Sequence, residues 1–309
     1  MGNITRAKGR LEVVLNYPEE FDFNIPKEED LSLYKGEDEI VSSHELKETL
    51  KEKYKSVIYR KTSFPTINNL MKGFTGGDLT VISGITGNGK TLFCKTLTKH
   101  FSDMKENSLW FTYEVPTMQF LYDFGEELPH FYMPKILKDK SMEWIYNRVK
   151  ESILKFNVKN IFIDHLHYLS DVMTKNNPSL EIGKVMRTLK GWSVDLNIST
   201  FLVAHMMKID MSREPQAGDS RDSSFVEQEP DNVFYIWRRL NKKNDPELEN
   251  RAIVKITKNR GFGIMDKKIE LIKRGKYLVE FDNKYEPYEP FKQPSLLNTK
   301  LDDDDFGRD

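Results

Sequence analysis

The stretch DLTVISGITGNGKTLF, Asp78 to Phe93, decides how the rest of the chain must be arranged. Its first half is a short apolar, β-branched run suited to a buried strand. Then come Gly84, the four residues Ile85, Thr86, Gly87 and Asn88, and then Gly89, Lys90 and Thr91, the pattern G-x-x-x-x-G-K-[ST]. Glycines at these places let backbone N–H groups converge on phosphate oxygens, Lys90 reaches the outer phosphates, and the Thr91 hydroxyl ligates magnesium. Phe93, Leu97 and Phe101 follow at helical spacing, so strand, glycine loop and helix stand in the order that the motif needs. The expectation is a nucleoside triphosphate, ATP with Mg2+, held by residues 84–91.

Downstream, apolar strand-like runs alternate with helical patterns: SLWFTYE, a helix near Pro116 to Leu128, a helix near Glu143 to Phe156, NIFIDHL, a helix near Leu180 to Leu196, and STFLVAH. Apolar strands separated by helices predict an α/β fold with a mostly parallel central sheet covered on both faces. After Asp231 the runs NVFYIWRR, AIVKITKNR, KKIELIKR and KYLVEF follow one another closely, so the sheet is expected to end in antiparallel strands.

The 309 residues suit a core of about 220 residues with appendages. Residues 1–61 read as an N-terminal arm with a short helix near 42–56, capped by Ser42 or Ser43. Leu46 and Leu50 share a face of that helix, so it docks either on its own core or on a neighbouring subunit. Residues 62–285 form the expected core, and 286–309 an acidic, disordered tail containing LDDDDFGRD. Charged residues are 31% of the chain but balance to −1, so nucleic acid must be met by a local site rather than by global charge. The single cysteine, Cys94, excludes internal disulfides and cysteine-cluster zinc, fits a reducing compartment, and reads as a packing residue. No run is long and apolar enough to span a membrane, and no secretory leader is visible, which predicts a cytoplasmic protein.

Several residues could carry chemistry. Asp164 ends the apolar run NIFID, where an acidic group would hold magnesium with Thr91. Glu114, at the end of SLWFTYE, is placed to activate the attacking water. His205 ends STFLVAH and faces the same crevice at the carboxyl edge of the sheet, where it could hydrogen-bond the γ-phosphate. The long polar stretch between His205 and Asp231 carries Lys208, Arg213 and Arg221 with several hydroxyls, a composition that contacts phosphates without reading bases. Lys258 and Arg260 end the strand in ITKNRGFG, and an Arg supplied across a subunit boundary stabilises charge on the γ-phosphate.

Together these pieces resemble the ATPase domain of hexameric replicative helicases with a RecA-like core, the DnaB type and especially its Twinkle and phage primase-helicase branch. The similarity runs from about Thr62 to Phe281 through FPTINNLMKGFTGGDLTVISGITGNGKT, LWFTYEVP, IFIDHLHYL, RDSSFVEQEPDNVFYIWRR and KITKNRGFG. It implies Glu114 as the water-activating base, His205 as the phosphate sensor, and Lys258 and Arg260 as residues acting on the neighbour's nucleotide. The loop around Arg221, Asp222 and Ser224 is implied to hold the phosphates of single-stranded DNA, and Gln228 to couple that loop to the nucleotide. His167 stands where many members carry Gln, and KNRGFG where relatives read closer to KNRFG.

The first 60 residues are too few for a primase domain or a helical collar, so ring assembly is expected to rest on the 42–56 helix, on DNA and ATP, or on another protein. The resemblance implies self-association into a hexameric ring in the bacterial or infected-host cytoplasm, associated with the nucleoid. A replisome partner, polymerase, primase or single-strand-binding protein, is a further expectation, with the acidic tail as one point of contact. Two alternatives stay open: a nucleotide-switched DNA-binding scaffold or loader that does not unwind, and a RadA-like recombination ATPase. The second usually carries a four-cysteine zinc module, against which the single cysteine argues.

Overall fold

The computed structural model describes residues 57–169, 179–205, 224–238 and 250–281, with Glu214 and Asp219; towards the N-terminus it describes Gly36, 39–50 and the backbone of 5–7, 10–12 and 51–53, and it gives the backbone of 178 as well. The chain divides into two compact units, Met1–Ser56 and Val57–Asp309. The first holds a small antiparallel pair, β1 (Thr5–Ala7) with β2 (Arg10–Glu12), and helix α1 (Ser43–Lys53). The Ser42 hydroxyl accepts the Glu45 N–H at 3.2 Å, the serine cap expected from sequence. Leu46 and Leu50 are exposed on α1. The tail after Phe281 lies outside the described residues.

The second unit is built on one eight-stranded sheet. In chain order its elements are α2 (Pro65–Met71), β3 (Leu79–Gly84), α3 (Lys90–Asp103), β4 (Ser108–Thr112), α4 (Thr117–Tyr122), α5 (Met142–Phe156), β5 (Asn160–Asp164), α6 (Pro178–Asp195), β6 (Ser199–His205), α7 (Phe225–Gln228), β7 (Asn232–Trp237), β8 (Arg251–Asn259), β9 (Lys267–Arg274) and β10 (Tyr277–Glu280). The strand order is β10-β9-β8-β7-β3-β6-β5-β4, parallel from β7 to β4 and antiparallel from β7 to β10. This is the mostly parallel sheet with an antiparallel end that the spacing of the apolar runs predicts.

Strand alternation divides the core into two chemically different halves. Ile82, Trp110, Phe162, Phe201, Val203 and Phe234 point to one face, where they meet Phe64, Phe74, Phe93, Leu97, Phe101 and Phe120 from the α2–α4 side. Val81, Leu109, Phe111, Ile161, Ile163, Leu202 and Ala204 point to the other, against Ile145 and Val149 of α5 and Ile182, Met186 and Leu189 of α6. The first half is dominated by rings: Trp110 stacks on Phe162 with centroids 4.8 Å apart, and Phe162 on Phe201 at 4.6 Å. The Trp110 indole N–H donates to the Thr98 hydroxyl at 2.9 Å, so the ring is buried without an orphaned donor. Trp110→Ala is expected to cost about 3–5 kcal/mol of stability, read as a lower urea midpoint at unchanged slope. A loss below about 1 kcal/mol would mean that the aromatic half is not cooperative core. Cys94 is buried here beside Phe93, and burial pushes its thiol well above the ordinary range, which fits the packing role.

One element differs from the sequence expectation, and one contact goes beyond it. The helix expected to Leu128 ends at Tyr122, where the backbone tightens: Phe124 N–H donates to Leu121 O and Gly125, at φ +88°, to Tyr122 O. The chain then runs extended and Tyr132 bridges Leu109, exchanging N–H···O bonds with Ser108 and Trp110 at 2.8 and 2.9 Å. The edge of β4 is therefore partly covered, which periodicity alone could not reveal. Among the described residues, no helix is long and apolar enough to cross a membrane.

Candidate nucleotide site

The glycine loop leaves β3 at the centre of the sheet and enters α3. Gly84 is required by space: a Cβ there would collide with the Ile236 carbonyl oxygen of β7. Gly89 is required by conformation, since it caps α3 at φ +100° with open space around it. The loop is clipped to the neighbouring strand by Asn88, whose Oδ1 accepts the Arg238 N–H at 2.9 Å. The free N–H groups at the start of the 14-residue helix α3 then face the loop, where an anion is favoured.

Lys90 and Thr91 open that helix. Lys90 folds back over the loop and its Nζ donates to Ile85 O at 3.1 Å. Burial lowers its pKa, while Glu114 and Asp164 pull the other way. Thr91 Oγ1 donates to Asp164 Oδ2 at 2.7 Å. Asp164 is buried, its Oδ1 has no partner, and burial raises its pKa to about 6, opposed by the Thr91 hydrogen bond and reinforced by Glu114. An orphaned buried carboxylate oxygen beside a threonine hydroxyl is an all-oxygen donor pair that suits magnesium.

Three further strand ends converge on the same edge. Glu114 lies just beyond β4, His165 just beyond β5, and His205 is the last residue of β6. One ligand atom from each lies within 4.8 Å of the others, and the His165 and His205 rings sit edge to face at 4.0 Å. Thr86 Oγ1 lies 3.3 Å from His205 Nδ1, which ties the loop to this group. His165, buried between two other imidazoles, has its pKa lowered to about 3 by desolvation first, then by His205 and His167. Sequence reasoning named Glu114 and His205 but missed His165. Its signal was present in DHLH, because the residue after a strand-end Asp sits at the same crevice.

Lys258 and Arg260 are not part of this group. Asn259, between them, pairs with Asn232 at the start of β7, and Asn232 in turn pairs with Thr80 near the start of β3. The Arg260 N–H donates to Asp231 O, and Asp231 exchanges two bonds with Leu79, whose N–H reaches Oδ2 at 2.9 Å. Lys258 and Arg260 therefore sit at the opposite end of β3 from Gly84, five residues away, or about 17 Å at roughly 3.3 Å per residue. A bulge opposite Val233 and Phe234 re-aims this end of β8, and Lys258 Nζ caps α7, donating to Gln228 O at 2.6 Å and to Glu227 O at 3.0 Å. Arg260 reaches Asp231 Oδ1 and Gln228 O, both at 3.4 Å. Asp231 is held in addition by Lys190 at 2.7 Å.

Of the residues expected to meet DNA, Lys208, Arg213, Arg221 and Asp222 lie outside the described residues. Ser224 is exposed at the start of α7, and the Gln228 carbonyl at its end accepts from both Lys258 and Arg260. Within the polar stretch, Glu214 pairs with Lys255 at 2.9 Å and Lys268 at 2.5 Å on β8 and β9.

Residues 132–279 match the family described as DnaB-like helicase C terminal domain. That range includes Asp164, His205, Lys258 and Arg260, whereas the phosphate loop and Glu114 precede it. The chain is 22% identical over 235 residues to the Replicative DNA helicase DnaB of Haemophilus influenzae, covering 64% of this chain and 50% of that protein. It is 29% identical over 118 residues to the Probable plasmid replicative DNA helicase of Chlamydia trachomatis, covering 37% and 26%. The chain thus spans at most about half the length of these relatives. Its fold is that of a solved structure described as an ATPase domain, with a TM-score of 0.67 at 16% identity over 79% of this chain and 100% of the other. A DnaB-like replicative helicase solved with attention to its interactions with primase gives 0.65 at 15% identity, over 77% and 67%.

Proposed function

We propose, with the DnaB-like helicase C terminal domain matched by residues 132–279 as the premise, that the chain is the motor of a ring-forming DNA helicase. It hydrolyses ATP between subunits, moves on single-stranded DNA and separates duplex during replication. The observation that carries this reading is the length of β3 separating Lys258 and Arg260 from the phosphate loop of their own chain. Cations there have no access to that chain's phosphates but can serve the next chain in a head-to-tail assembly.

In this reading the loop N–H groups and the start of α3 bind the phosphates, and Lys90 exchanges its contact with Ile85 O for the outer phosphate oxygens. Thr91 and Asp164 hold magnesium, which neutralises charge on the phosphate oxygens when bound. Glu114 orients the attacking water and takes its proton, and His205, tied to Thr86, hydrogen-bonds the γ-phosphate. Lys258 and Arg260 of the neighbouring chain stabilise the charge developing in transfer. Their release from Gln228 O and Asp231 would pass to α7 and the polar stretch before it, where Lys208, Arg213, Arg221 and Ser224 would hold DNA phosphates, with Asp222 in the same loop. Residues 62–285 act as the motor domain, the preceding arm as a docking element, and a hexamer with a replisome partner as the working assembly.

The RadA-like alternative is not favoured, because Cys94 is the chain's one cysteine and is buried in packing. ATP hydrolysis measured with and without single-stranded DNA, with mass determined in the same buffer, separates the helicase from the switched scaffold. We expect an oligomer and hydrolysis stimulated by DNA, followed by strand separation of a forked duplex. A DNA-indifferent rate in a monomer would leave the scaffold.

A further inference from the structure

The cluster at the ends of β4, β5 and β6 has a composition that phosphate hydrolysis alone does not require. Glu114 and His205 have uses in the mechanism, but His165 has none, and it is buried against His205 with its Nδ1 3.3 Å from the His167 N–H. Three potential ligand atoms, two imidazole and one carboxylate, lie within 4.8 Å of one another. Two histidines and a glutamate with an open fourth position are a donor set used for zinc, whereas magnesium prefers oxygen and keeps its waters. A tetrahedral ion at about 2.1 Å from each donor needs the donors about 3.4 Å apart, and Glu114, exposed and unbranched, is the arm able to close that gap.

We propose that Glu114, His165 and His205 form a site for a zinc-class divalent cation, separate from the oxygen site of Thr91 and Asp164. Occupation takes the Glu114 carboxylate and the His205 imidazole away from water and γ-phosphate, so the ion acts as a reversible brake on the nucleotide site. The buried His165 anchors the ion, and Glu114 closes over it. The braking effect rests on the ATPase reading above; the binding itself does not.

The test begins without nucleotide. The metal-free full chain is titrated with Co2+ as a visible-absorbing probe, and then with Zn2+ in competition. We expect the strong visible band of four-coordinate cobalt at one equivalent per chain, displaced by zinc. Affinity should fall at least about tenfold in His165→Asn and in Glu114→Ala. Glu114 is exposed, so its replacement keeps the test valid even where His165→Asn folds poorly. Asp164→Asn should leave the band unchanged. A weak six-coordinate spectrum, a band that survives Glu114→Ala, or one that is lost in Asp164→Asn would overturn the proposal. A second arm adds Zn2+ to the protein turning over magnesium and ATP; inhibition lifted by a zinc-selective chelator is expected. A wild type that binds cobalt with the stated variant pattern but hydrolyses no ATP would sink the ATPase reading while leaving the metal site standing. Hydrolysis indifferent to saturating zinc would remove the brake.

Discussion

Arg260→Ala is expected to lower DNA-stimulated ATP hydrolysis by about 10³-fold or more, while leaving nucleotide affinity and the folded state nearly unchanged. The size follows from the chemistry: a guanidinium brought to the γ-phosphate from outside meets charge that grows only in the transition state. The lack of a folding effect follows from geometry. Arg260 is more than half exposed, and its two contacts, Asp231 Oδ1 and Gln228 O, are both long at 3.4 Å, so little native stabilisation is lost with them. The decisive version mixes two dead proteins. Arg260→Ala chains keep an intact phosphate loop, and Lys90→Ala chains keep an intact finger. In a head-to-tail assembly formed by random mixing, about a quarter of the interfaces unite the two good halves, so activity should return to about that fraction. No recovery on mixing, in oligomers shown by mass to contain both chains, would show that the finger does not act between subunits.

Asp164→Asn is the second large effect, and it should have two opposite signs. Hydrolysis should fall by about 10² or more, because one of the two side-chain oxygens proposed to hold magnesium would lose its charge. Stability at neutral pH should rise. Burial lifts the Asp164 pKa from 3.8 to about 6, so the folded state holds this proton more tightly than the unfolded chain does. Below pH 3.8 both states are protonated and the group costs nothing. From there the cost grows with pH and levels above about pH 6, where it amounts to about 3 kcal/mol at about 1.4 kcal/mol per unit. The asparagine should therefore be the more stable protein by about that amount at about pH 7.5 in metal-free buffer, with the advantage shrinking towards about pH 4. Paired urea titrations at the two pH values measure it. An advantage that does not change with pH would locate the effect elsewhere than in this ionisation.

The strand, glycine loop and helix were legible because their signal is local: Gly84, Gly89, Lys90 and Thr91 stand within eight residues, and the strand before them and the helix after them are apolar in the right rhythm. Asp164, Glu114 and His205 were legible as strand ends, since a parallel sheet delivers all its carboxyl ends to one edge. His165 stood in the same place, one residue past the strand-end Asp164, but as the neighbour of an expected magnesium ligand it had no role of its own to single it out. The short α4 was also hidden, because Met118, Phe120, Leu121 and Phe124 fit a longer helical pattern until Gly125 turns the backbone. The position of the finger relative to its own loop could not be read at all. It depends on β8 pairing beside β7 with Asn259 opposite Asn232, a register fixed by contacts far apart in sequence.

That register makes β3 a ruler. One end carries the phosphate loop and the other is bonded through Asp231 to the segment bearing Arg260, with nothing between them but the buried residues Leu79 to Gly84. Inserting or deleting a single residue there would shift one end against the other by about 3.3 Å and swap which residues of the strand face the aromatic and the aliphatic halves of the core. Length changes should therefore be forbidden in this strand, where no loop lies between the two ends to absorb them. The spacing between successive nucleotides around an assembly would then be set by the backbone of six residues, and only secondarily by the side chains at the interface.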